Sequence, residues 1–204
     1  GMRVIARPTG FAATDGVHEE YVALSWADQS MIEGGYNVYR GGGGALALDG
    51  VDGYMTTTGQ ITIAGSFTFE FWARRASSGT DDFVINIELP NTPNPNDVNL
   101  DIGFLESDEF AVGFGDRILQ TAGTYTDTDW HHWACSYDTA TGLRTMYRDG
   151  VQVAQDSPGT DYLGAGDFYV GRRQDYTRYM DGLVDELVIH DRALADYEIM
   201  DLYE

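Results

Sequence analysis

The chain has 204 residues, 43% of them hydrophobic and 22% charged, which is enough to bury a large core and too apolar for a disordered segment. Acidic residues outnumber basic ones 33 to 12, giving a net charge of −21. A surface of that sign repels phosphate backbones and anionic lipid, so binding to nucleic acid or a membrane surface is disfavoured, and no apolar run approaches the ~18 residues of a membrane helix.

With 25 glycines, 13 tyrosines and 9 phenylalanines and few long helical patterns, the composition points to an all-β protein. All 12 basic residues are arginine, and aspartate outnumbers glutamate 23 to 10. Adaptation to a salty medium would explain this, since screening tolerates negative charge and short carboxylates hold water and cations; compositional drift is the plainer reading. A melting temperature that rises with salt separates the two. The single cysteine, Cys135, excludes an internal disulfide framework and sits in an aromatic strand pattern, where it reads as a small buried apolar residue.

The stretch Gly1–Pro8 has no apolar signal region, and Gly1 reads as a remnant ahead of a start Met2. Either a signal was trimmed or export does not use one, as for a virion component. Next come two alternating β-like segments, 21–26 and 36–40. Pro8-Thr9-Gly10, Ala13-Thr14-Asp15-Gly16, Val22-Ala23-Leu24-Ser25-Trp26 and Gly35-Tyr36-Asn37-Val38-Tyr39-Arg40 together resemble the first three strands of a fibronectin type III domain. Half a sandwich cannot cover its own open edges, so residues 20–40 are expected to pack on another β surface, in this chain or in a neighbouring protomer. The run Gly41-Gly42-Gly43-Gly44 is a flexible seam, dividing a segment 1–41 from a domain 42–204.

Beyond the seam the chain reads as strand upon strand. Phe67, Phe69, Phe71 and Ala73 share one face of a strand and Thr68, Glu70, Trp72 and Arg74 the other. Segments 83–87, 98–102 and 110–114 are further strands, and Pro90 to Pro95 with its asparagines is a loop. Asp149-Gly150 is the two-residue type I′ hairpin signal. A short helix near Ala195–Tyr203 closes the chain. Short strands without strand–helix alternation mean a two-sheet sandwich or barrel.

Several segments in order resemble the laminin-G-like, concanavalin A-like jelly roll, from Ala45 to the end. They are Leu46–Tyr54, Gly65–Ala73, Trp130–Asp138, Leu143–Val151, Tyr169–Arg172 and Met180–Leu194, ending at Glu198-Ile199. Two departures stand out: Ala195 replaces the usual Ser or Thr cap of the last helix, weakening it by about 1 kcal/mol, and Arg148 replaces an apolar residue, which suggests a solvent-exposed face. The resemblance implies an antiparallel two-sheet jelly-roll sandwich and a non-catalytic module in an extracellular or virion setting, binding glycans or proteins and often holding calcium.

Four groups of residues are candidate sites. For Ca²⁺, which wants six to eight oxygens, Asp49, Asp52, Asp181 and Asp185 come from segments the jelly roll brings together, and the resemblance adds turn carbonyls near Asp49 and Gly50, with Asp185 the foremost ligand. The plainer reading makes Asp49, Asp52 and Asp181 turn formers. For a ligand, Arg173, Tyr176, Arg178 and Tyr179 gather cations and aromatic rings in a cation-poor chain; acidic sugars or sulfate would suit the arginines, unless these only neutralise nearby aspartates. His131 and His132 fall on opposite faces and cannot chelate one metal together. Glu106-Ser107-Asp108-Glu109 is the nearest approach to a glucan-hydrolase acid pattern, but its third acid has the wrong parity and the segment reads as a hairpin turn.

The expectation is therefore a non-catalytic binding or adhesion module, stabilised by calcium and recognising a glycan or protein surface. The rival is a structural subunit of a phage, virion or cell-surface assembly that forms a homo-oligomer through residues 20–40. A polysaccharide-degrading enzyme is the remote alternative.

Overall fold

The computed structural model describes residues 45–88, 99–159, 162, 164–173 and 178–204, apart from the side chain of Thr58, together with the strand backbone of 9–13, 21–27 and 36–38. The glycine seam, the loop from Pro90 to Pro95 and Tyr176 lie outside these residues. Fifteen strands and one helix follow in order: β1 (Thr9–Ala13), β2 (Tyr21–Ala27), β3 (Tyr36–Val38), β4 (Leu46–Asp49), β5 (Tyr54–Ile63), β6 (Phe67–Arg75), β7 (Asp82–Glu88) and β8 (Leu100–Phe104). Then come β9 (Phe110–Phe114), β10 (Arg117–Gln120), β11 (His131–Asp138), β12 (Leu143–Arg148), β13 (Val151–Asp156), β14 (Gly164–Val170), β15 (Asp181–His190) and α1 (Asp196–Tyr203).

They form two sheets. One has eight strands in the order β1-β2-β5-β14-β7-β8-β9-β10; the other has seven, β13-β12-β11-β6-β15-β3, with β4 also paired to β15. The all-β, two-sheet jelly roll read from the sequence is what the chain forms, and pairing is antiparallel except where β2 runs parallel to β5. β2 thus joins one sheet, and β3, paired to β15, joins the other.

Strict alternation explains the core. Phe67, Phe69 and Phe71 of β6 and Trp133, Cys135 and Tyr137 of β11 point inward from the seven-stranded sheet, meeting Ile85, Ile102, Phe110, Val112 and Phe168 of the other. Phe110 stacks on Trp133 with centroids 4.2 Å apart. Cys135 is fully buried, and that burial pushes its thiol up to about 12, so it is an inert apolar filler. Asp149 and Gly150 at φ 51° and 75° make the expected hairpin turn.

Two local expectations are revised. Arg148 is not on an open face: its guanidinium lies 4.7 Å from the Tyr125 ring and 2.9 Å from Asp127, because the segment after β10 returns over this strand end. Ala195 makes no side-chain cap to α1, yet its N–H donates to Glu198 at 3.0 Å, and Arg192 holds the same carboxylate in two bonds of 2.7 and 2.8 Å. This pairing lowers the Glu198 carboxyl to about 2 and supplies the anchoring that the missing hydroxyl does not.

Candidate functional site

The acidic candidates come together in part. Asp49 and Asp181 are register partners across β4 and β15, so the first and last strands of the jelly roll do lie side by side. Asp49 Oδ1 accepts the N–H groups of Val51, Asp52 and Gly53 at 3.0, 3.3 and 3.1 Å, bonds that hold its carboxyl below the usual carboxylate range. Gly50 has φ +71° and donates to the Met180 carbonyl; a Cβ there would meet Asp181 Cβ at 2.9 Å. Asp52 is exposed. Asp185 is four residues farther along β15, opposite Trp72, and its Oδ1 accepts the N–H of Glu186, whose φ of 48° marks a bulge. Among the described residues, no group of three or more His, Cys, Asp or Glu is placed to hold a metal ion. The Asp49 carboxylate acts as a turn former.

The acids of a hydrolase are not assembled either. Glu106 to Glu109 form the turn between β8 and β9, with Leu105 donating to the Glu109 carbonyl and Asp108 at φ 71°. The Asp108 carboxylate accepts from Gly79 N–H at 2.7 Å and from Arg75 at 2.9 Å, and these two donors hold it below the ordinary range. His131 and His132 do point to opposite faces: His131 sits between Asp127 and Asp149, while buried His132 donates to Glu70 at 3.2 Å.

The arginine and tyrosine segment gives the most developed surface, on the outer face of the eight-stranded sheet. Outward-pointing residues line up there across five strands, Thr56 opposite Tyr169, Tyr169 opposite Asn86, Asn86 opposite Asp101 and Asp101 opposite Gly113. At ~4.8 Å per strand the row spans about 19 Å. Asn86 Nδ2 donates to Asp101 at 2.7 Å, while its buried Oδ1 has no hydrogen-bond partner.

Beside the row, the turn between β14 and β15 brings in the cations. Arg173 N–H donates to the Arg178 carbonyl at 2.9 Å, and Arg172 bridges to Tyr179, so these four residues lie side by side. The buried Arg172 guanidinium lies 3.7 Å from the Tyr169 ring centre and 4.7 Å from that of Tyr54, with Glu88 at 3.6 Å. Burial raises the Tyr169 phenol to about 12 against the opposing pull of Arg172, so it stays a neutral donor. Tyr54 packs 5.9 Å from Tyr169 and 6.5 Å from Tyr179, giving a trio of half-buried rings. Arg173 reaches Asp101 at 3.6 Å and Arg178 reaches Asp81 at 3.1 Å. Three of the expected ligand residues, Arg173, Arg178 and Tyr179, are thus gathered; Tyr176 lies outside the described residues.

Sequence reading missed Tyr54, Tyr169, Asn86 and Glu88. The available signal was strand parity: Ala165, Asp167 and Tyr169 alternate with the buried Gly164, Gly166, Phe168 and Val170.

Comparison with known proteins agrees with this architecture. The family model described as the concanavalin A-like lectin/glucanases superfamily matches residues 49–200. The match starts after the fibronectin-like segment, a resemblance that gains no support. No curated protein matches the chain. Among solved structures, the heptameric SAP-like pentraxin from Limulus polyphemus is similar with a TM-score of 0.63 at 11% identity, over 78% of this chain and 80% of that one. The CBM40 of Ruminococcus gnavus IT-sialidase, bound to α2,3-sialyllactose, follows at 0.58 and 11%, over 84% and 96%. The binding domain of Paraclostridial Mosquitocidal Protein 1 gives 0.57 and 14%, over 83% of this chain and 45% of that one. At such identities the likeness is one of fold. With three quarters of its length inside the match, the chain belongs to the concanavalin A-like lectin/glucanases superfamily.

Proposed function

We propose that the chain is a non-catalytic glycan-binding module acting outside the cell or on a virion, with its binding surface on the outer face of the eight-stranded sheet. The observation that carries this is the cluster in which Tyr54 and Tyr169 pack on the Arg172 guanidinium and Tyr179 packs beside Tyr54, flanked by Arg173 and Arg178. Ring faces suit the apolar side of a sugar, and planar polar groups fix its hydroxyls. A CBM40 of similar fold bound to sialyllactose supports a sugar as ligand.

The absence of catalysis in this proposal rests on the hydrolase-like acids, which are held in a turn and bonded to Arg75 and Gly79. The rival of an assembly subunit joined through residues 20–40 is less favoured, because β2 and β3 pair with β5 and β15 of their own chain. A glycan array tests the proposal. Binding that Tyr179→Ala weakens at least about tenfold is expected; an array without any binder, or turnover in a reducing-sugar assay, overturns it.

A further inference from the structure

We infer that the ligand is an uncharged glycan and that this surface selects against sialylated, uronate-bearing and sulfated sugars. The inference deepens the glycan-binding proposal and rests on it.

An arginine selects an anion when its guanidinium is open to make a bidentate, charge-assisted pair. Here each arginine of the surface already faces a carboxylate of the same chain: Arg172 faces Glu88, Arg173 faces Asp101 and Arg178 faces Asp81. A fourth carboxylate, Asp167, lies on the same face of β14 as Tyr169 and acts on its phenol together with Glu88. Among the described residues, three guanidiniums therefore sit among four carboxylates.

An anionic sugar would compete with Asp101 or Asp81 for its arginine, exchanging one ion pair for another. It would also approach a chain carrying −21 charges. A sugar hydroxyl meets a different surface. It both donates and accepts, so it can donate to the part-exposed Asp81 carboxylate and accept from the part-exposed guanidinium N–H groups of Arg173 and Arg178, all without breaking a pair. The arginines foreseen as anion receptors instead hold the platform together and present donors to a neutral ring.

The test applies the full chain to an array of neutral oligosaccharides printed beside their sialylated, uronate-containing and sulfated counterparts, at low and high salt. Each neutral glycan that binds should exceed its anionic counterpart by about fivefold or more at low salt, and the gap should narrow as salt screens the repulsion. Stronger binding of an anionic counterpart overturns the inference and leaves glycan binding intact; no binding to any glycan overturns both. In the variant Asp81→Asn, which removes that carboxylate charge from beside Arg178, the ratio should shift toward anionic glycans. An unchanged ratio would show that the ion pair does not set the selection and would overturn the inference.

Discussion

The outer faces of the two sheets solve the same problem in opposite ways. On the seven-stranded sheet the chain's own C-terminal segment closes the face. Thr68 donates to the Arg192 carbonyl and accepts the Leu194 N–H, both at 2.9 Å, and Tyr203 stacks on Trp72 with centroids 5.9 Å apart. Ala134, Tyr147, Leu194 and Ile199 form a small second core there, and Tyr147 donates to Asp196 at 2.8 Å. Beneath it, the Glu70 carboxylate accepts from His132 at 3.2 Å and His190 at 3.0 Å. On the eight-stranded sheet, carboxylates again meet cations, but beside tyrosines that keep part of their rings in solvent. A carboxylate–cation pair is thus a structural lock under the chain's own cover on one sheet, and on the other a buried support for tyrosine rings that stay partly open.

The largest expected effect probes the closed face. Glu70→Ala leaves buried His132 and partly buried His190 without their acceptor and should cost about 2–4 kcal/mol in urea unfolding, with glycan affinity unchanged. A loss under about 1 kcal/mol would mean that the lock contributes little.

The same carboxylate sets a pH dependence. Burial pushes the Glu70 carboxyl up, but the hydrogen bonds from His132 and His190 outweigh it and hold the group below its ordinary value. A depressed carboxyl contributes stability that is present above the unfolded value of about 4.3 and is lost as pH falls through the lower folded one. Melting curves between about pH 5 and pH 3 should therefore show a shallower decline for Glu70→Gln than for the parent.

Stacking should separate the faces at about 1 kcal/mol. Tyr203→Ala should lower stability by that amount and spare binding, whereas Tyr179→Ala should weaken glycan binding and change stability by less than about 0.5 kcal/mol. If both variants behave alike, the distinction between the faces fails.

The smallest effect concerns calcium. Since Asp49 Oδ1 is occupied by three N–H groups, adding Ca²⁺ or EDTA should move the melting temperature by less than about 2 °C. Asp49→Ala should cost about 1 kcal/mol in either medium. A calcium-dependent rise lost in Asp49→Ala would return that carboxylate to the role of ligand.

Much of the fold was legible because alternation has a period of two and needs no partner. Phe67, Phe69 and Phe71 announce a buried face, Asp149-Gly150 a tight turn and the final helix its position, each within a few residues. Arg148 was misread because its cover comes from Tyr125 and Asp127, more than twenty residues upstream.

By itself the sequence determined which residues alternate, where the chain turns and how acidic the surface is, since these depend on local sterics and composition. Tertiary structure alone decided what the arginines do. Parity sends a side chain to a face, but register chooses its neighbours, and the carboxylates facing Arg172, Arg173 and Arg178 come from β7, β8 and the residue just before β7, more than seventy residues away along the chain.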